Sequence, residues 1–149
     1  MGQLDLPSSL ICNSPDETFA LGKNLASILK KGSVVALKGP LGAGKTCLAK
    51  GIARGLGIKE ELTSPSYAII CEYDFQKGSR LFHIDAYRLN GNEDFSAIGG
   101  EEIIFGNGIS VIEWSERIPA FIPEGALMVE IQILDDEKRH INISWENKK

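Results

Sequence analysis

The spacing of apolar residues changes along this chain, and each change marks an element. Phe19, Leu21, Leu25, Ile28 and Leu29 fall on one helical face. Ser14-Pro15-Asp16-Glu17 supplies the start of that helix: a serine able to cap, a proline suited to the first turn, and a glutamate three residues past the cap. Gly32 is placed to stop it. Residues 33–37 (Ser-Val-Val-Ala-Leu) are short, β-branched and apolar, which predicts a buried strand. A glycine-rich turn from Gly39 to Gly44 follows directly, then a predicted helix from residue 45 to about 56, ended by Gly57. Segments 67–75 and 80–85 read as two strands joined through Gln76-Lys77-Gly78-Ser79, and 126–134 with 139–145 as a last hairpin around Asp135-Asp136-Glu137. A short helix at 92–98 and a buried strand at 109–112 complete the pattern. A strand–loop–helix unit combined with hairpins predicts an α/β fold, a mixed β-sheet with flanking helices. No repeat or linker divides the chain, so one domain is expected over residues 1–149.

Composition narrows the class without choosing a function. At 43% hydrophobic and 24% charged residues, the chain is an ordinary globular one, which excludes disorder, collagen and coiled coil. No apolar run approaches the roughly 18–20 residues of a membrane helix. The first twelve residues lack the basic, apolar, small-residue order of a signal peptide, so a cytoplasmic protein is expected. A net charge of −4 offers no bulk basic footprint for nucleic acid, so any contact with RNA would be shared with a partner. Cys12, Cys47 and Cys71 are odd in number and form no CxxC. They read as reduced thiols, and with only His83 and His140 beside them a zinc site is not expected.

Gly39-Pro40-Leu41-Gly42-Ala43-Gly44-Lys45-Thr46 matches G-x-x-x-x-G-K-[ST] in full. The glycines let the backbone curl so that several N–H groups point into one hollow. The following helix adds free N–H groups and a partial positive charge. Lys45 brings an ammonium to the phosphates, and the Thr46 hydroxyl is placed to bind magnesium. The motif lies between a predicted strand and a predicted helix, as that mechanism demands.

A nucleotide site also needs carboxylates at neighbouring strand ends, to hold the metal and orient water. Leu81-Phe82-His83-Ile84-Asp85 and Ser110-Val111-Ile112-Glu113 are apolar-rich strands that end in acid. His83 shares a strand face with Asp85, and reads equally as a hydrogen-bond donor to the site or as a satisfied structural histidine. Trp114 reads equally as a core aromatic or as a lid over the site. Arg88 either reaches a phosphate or pairs with a surface acid.

Together, GPLGAGKT, Thr63-Ser64-Pro65-Ser66-Tyr67, His83-Ile84-Asp85-Ala86-Tyr87-Arg88-Leu89 and Ile112-Glu113-Trp114 resemble the TsaE (YjeE) family over nearly the whole chain. These are small bacterial P-loop ATPases needed to make threonylcarbamoyladenosine in tRNA. The phosphate loop is common to many families; the HIDAYR and IEW segments behind it are the specific part. The resemblance implies that Leu41, Gly42, Ala43, Gly44, Lys45 and Thr46 wrap the ATP phosphates. It implies that Thr46 and Glu113 hold Mg2+, and that Asp85 serves the metal's water shell or the hydrolytic water, with Lys45 and Glu113 sharing in catalysis. Ser64 and Ser66 would belong to a switch loop sensing the γ-phosphate, while Thr18 and Arg139 would approach the nucleotide. The family's switch reads Ser-Pro-Thr; Ser66 keeps the hydroxyl and loses a methyl, which implies a looser switch. The implied partners are TsaB and TsaD, whose threonylcarbamoyl-transfer complex ATP would drive or reset, with tRNA contacted indirectly.

Two other functions fit the motifs. A small-molecule kinase would pair the same loop with a carboxylate base, but it usually needs an arginine-bearing lid, and the five arginines are scattered. A nucleotide-gated assembly module would need ATP binding without hydrolysis. Adenine is favoured over guanine because no N/T-K-x-D motif follows the loop.

Overall fold

The two segments without a polar side, 33–37 and 109–112, become neighbours at the middle of a sheet. β2 (Val34–Lys38) pairs in parallel with β5 (Ile109–Glu113), Val35 opposite Val111 and Leu37 opposite Glu113. The computed structural model describes residues 5–62 and 70–147. Its remaining strands are β1 (Ser8–Cys12), β3 (Ile70–Phe75), β4 (Ser79–Asp85), β6 (Leu127–Ile133) and β7 (Arg139–Trp145). The sheet order is β1-β7-β6-β2-β5-β4-β3. β4, β5, β2 and β6 run parallel, whereas the flanking β3, β7 and β1 are antiparallel to their neighbours.

Because side chains alternate along a strand, each buried strand feeds two cores. Val35, Leu37, Leu81, Val111 and Ile131 face one side, where they meet Leu21 and Leu25 of α1 (Pro15–Leu25) and Leu48 and Ile52 of α2 (Lys45–Gly55). Val34, Ala36, Ile84 and Ile112 face the other, against Phe95 of α3 (Asn92–Ala97), Ile104 of α4 (Gly100–Ile104), Ile118 between two short 3-10 turns, and Phe121 in the second of them.

The start of α1 follows its sequence: the Glu17 N–H donates to Ser14 Oγ at 3.2 Å, and Glu17 Oε1 accepts from the Asn13 N–H at 2.8 Å. Its end differs from expectation. The α-helix stops at Leu25 and a 3-10 turn carries the chain through Ile28, so the apolar face continues in a tighter coil. α1 and α2 meet at two glycines. A Cβ at Gly51 would collide with the Phe19 carbonyl oxygen, and one at Gly22 with that of Leu48.

Two elements escaped the sequence. In β1 the exposed positions are Ser9 and Ile11 and the inward neighbour Leu10 is only half-buried, so hydrophobicity alone shows no alternation to detect. α4 is five residues long, too short to display a helical period. The predicted strand 67–75 is seen from Ile70 onward, its first three residues lying outside the described ones.

Parallel pairing has one consequence for function. The C-terminal ends of β2, β4 and β5 emerge together, and the register sets Asp85 and Leu37 on either side of Glu113.

Candidate nucleotide site

The phosphate loop begins where β2 leaves the sheet, beside β6. A side chain on Gly39 would stand 2.6 Å from the Ile131 carbonyl oxygen, so only glycine lets the loop turn this close to the neighbouring strand. Gly44 caps α2 at φ +104, a conformation L-residues rarely adopt. No side chain caps this helix, so its first N–H groups open toward the hollow of the loop, where an anion would satisfy them.

Lys45 is buried, and its ammonium donates to the carbonyls of Gly39 at 2.6 Å and Pro40 at 2.9 Å. It also sits 4.0 Å from the centroid of the Trp114 ring. Burial lowers its pKa, an effect opposed by the negative charges of Glu113, Glu116 and Asp85.

Across the hollow, the Thr46 hydroxyl lies 2.9 and 3.0 Å from the two carboxylate oxygens of Glu113. Glu113 is itself buried at the end of β5, and its Oε2 is 2.5 Å from Nε2 of His83, which is wholly buried. Of the two readings open for His83, contact with the site is the one the structure bears out. Asp85 accepts the Tyr87 N–H at 2.9 Å. Burial raises its pKa, the Tyr87 hydrogen bond lowers it, and the charge of Glu113 raises it further. One hydroxyl and two carboxylates offer an all-oxygen donor set suited to a hard cation. Among the described residues no cluster of three or more His, Cys, Asp or Glu side chains forms a protein-only metal site. A divalent ion here would complete its shell with phosphate and water, the usual arrangement for Mg2+.

The loop, Asp85, Tyr87, Glu113 and Trp114 enclose a cavity of about 340 Å³. Trp114 is neither a plain core residue nor a free lid. It adopts a left-handed backbone, φ +59, and packs half-buried between Lys45 and Tyr87, with a ring separation of 4.9 Å from the latter. The turn that presents it is anchored by Ser115 Oγ, which donates to the Leu37 carbonyl at 3.1 Å. Tyr87 was not foreseen. Its sequence signal is its place in the HIDAYR segment, two residues beyond Asp85.

Thr18 and Arg139 lie beside the loop and do not line the cavity. Thr18 is buried beneath the loop, its methyl 3.8 Å from where a Cβ on Gly44 would be, and its hydroxyl donates to the Ser14 carbonyl. Arg139 grips the loop from outside, donating to the Ala43 and Gly42 carbonyls at 3.0 and 3.2 Å, and to the Asp135 carbonyl of its own hairpin at 2.7 Å. Arg88 is exposed. Ser64 and Ser66 lie outside the described residues.

A mixed sheet with a glycine-rich loop leading from its central strand into a helix, and acids at the adjacent strand ends, defines the P-loop NTPase fold. The family model "Threonylcarbamoyl adenosine biosynthesis protein TsaE" matches residues 12–141, and this chain belongs to the TsaE family of tRNA threonylcarbamoyladenosine biosynthesis. The Treponema pallidum protein named for that role is 41% identical over 134 residues, covering 90% of this chain and 98% of its own. The Bacillus subtilis counterpart is 37% identical over 131 residues, covering 88% and 81%. The crystal structure of YdiB from Bacillus subtilis superposes with a TM-score of 0.73 at 32% identity, covering 99% of this chain and 91% of that one.

Proposed function

We propose that this protein is a Mg2+-dependent ATPase, built as one domain over residues 1–149, that works in the cytoplasm on a TsaB–TsaD type complex. The observation that carries the reading is the Thr46–Glu113 hydrogen bond in the mouth of the phosphate loop, with Asp85 on the neighbouring strand end. The loop N–H groups from Leu41 to Thr46 bind the phosphates, and Lys45 exchanges two backbone carbonyls for phosphate oxygens. Thr46 and Glu113 hold Mg2+, which when bound neutralises charge on the β- and γ-phosphates. Asp85 orients the hydrolytic water or the metal's water shell. Ser64 and Ser66 sense the γ-phosphate, and Thr18 and Arg139 support the nucleotide from the loop's flanks. Catalysis of this kind is positioning plus electrostatics, with no covalent intermediate on the protein.

Hydrolysis serves to drive or reset the threonylcarbamoyl transfer carried out by the partner complex, and tRNA is met through that complex. The chain's charge of −4 supports indirect contact. The test is calorimetry of ATP binding with and without Mg2+, followed by hydrolysis by the protein alone and with TsaB and TsaD. Expected are Mg2+-dependent binding, slow turnover alone, and faster turnover with the partners. No heat of ATP uptake would remove the reading altogether. Equal rates with and without partners would leave a nucleotide-gated module.

A further inference from the structure

His83 is a charged-type side chain with no exposure at all, set in the inward row of β4 beside Leu81 and opposite Val111 of β5. Such a group costs free energy to bury unless it has a use for its polar atoms. One is used: Nε2 meets Glu113 Oε2 at 2.5 Å. The other, Nδ1, has no partner among the described residues. A carboxylate oxygen only accepts, so the ring nitrogen facing it is the donor.

Glu113 is buried and its two oxygens share the single Thr46 hydroxyl proton, so that hydroxyl alone does not settle which way the carboxylate turns. The imidazole N–H, fixed in the sheet, does. We propose that His83 is a positioning residue: by donating Nε2–H to Oε2, it locks Glu113 against Thr46 in the orientation that receives the cation. This rests on reading Thr46 and Glu113 as the Mg2+ site. It goes further by assigning to a strand-interior histidine the task of orienting the ligand. Hydrogen-bonding partners behind a metal ligand set its direction and basicity, and their loss costs about 10–100-fold in metal affinity or activity.

The experiment compares His83→Leu, which removes the donor at similar size, with His83→Gln, whose amide can reach the same oxygen. For His83→Leu the Mg2+ concentration giving half-maximal ATP hydrolysis should rise by about tenfold or more. ATP binding measured in EDTA, carried by Lys45 and the loop amides, should stay within about twofold by calorimetry. His83→Gln should recover most of the Mg2+ dependence. A His83→Leu protein that melts cooperatively and keeps the wild-type Mg2+ midpoint overturns the proposal. So does a wild-type protein whose nitrogen-15 imidazole spectrum shows Nε2 of His83 without a proton, a measurement that stands even where the leucine variant does not fold. A wild-type protein whose ATP affinity is indifferent to Mg2+ instead defeats the underlying assignment of the cation site, and the two failures are thereby told apart.

Discussion

The surroundings of Asp85 oppose its charge. Burial is the largest cause, the Tyr87 N–H partly offsets it, and the negative Glu113 beside it adds to the rise. A carboxyl with a raised pKa in the folded state gives stability that is complete below the ordinary value of 3.8 and is lost as pH climbs through the folded value. Asp85→Asn abolishes that ionisation. The variant should therefore melt above wild type at pH 7, and the difference should fade toward pH 3–4, in thermal scans across that range. Its ATP hydrolysis should fall by about 100-fold or more, because a positioned carboxylate near reacting water is gone. Stability and activity would thus move in opposite directions, as expected where a strained charge serves chemistry rather than folding. Asp85 and Glu113 were legible in the sequence because an acid at the end of an apolar strand is a visible pattern. Their contrast was not legible: Glu113 is paired with Thr46 and His83, while Asp85 faces the cavity with a single backbone donor.

At the level of elements, two contacts bear on the loop from outside it. The first is the α1–α2 crossing, where backbone meets backbone at Gly22 and Gly51. Since α2 begins at the phosphate loop, its seating on α1 fixes where the loop's helix points. Gly51→Ala should destabilise the protein by about 1–3 kcal/mol, read by urea denaturation, since the added methyl meets a carbonyl that belongs to the opposing helix and is held in place. The second is the β6–β7 hairpin, which Arg139 ties to Gly42 and Ala43. Arg139→Met keeps the stem and removes the donors. ATP affinity should weaken by about tenfold in calorimetry, while the folding midpoint moves little, because the lost bonds order a surface loop. The family resemblance carried Arg139 toward the nucleotide; the fold shows it acting on the loop's carbonyls. Nothing in the local sequence could reveal this, since the two segments are 96 residues apart.

Over the whole molecule, the site gathers β2, α2, β4, β5 and the last hairpin around one cavity. A nucleotide bound there should tie these parts together and stabilise the fold as a unit. At a ligand concentration a hundred times the dissociation constant, the gain is about 2.7 kcal/mol. A scan with Mg2+ and ATP should show a clear upward shift of the melting temperature. Lys45→Ala should lose most of that shift and most hydrolysis, since the ammonium now held by Gly39 and Pro40 is the group that would meet the phosphates. A Lys45→Ala protein with an unchanged shift would mean that the loop does not hold phosphate.

The amino-acid order by itself determined the phosphate loop, the helix that follows it, the cap of α1, the two fully apolar strands and the acids that end β4 and β5. Each of these depends on neighbours a few residues away, where periodicity, glycine geometry and hydrogen-bonding side chains act directly. Only the tertiary structure decided that Asp85 and Glu113 stand side by side on paired strands, that His83 backs one of them, that Trp114 roofs the lysine, and that β1 closes the sheet against β7. Those outcomes depend on strand order and register. Order and register are settled by how whole faces bury against α1 and α2 on one side and α3 and α4 on the other, a sum over distant residues that no local stretch contains.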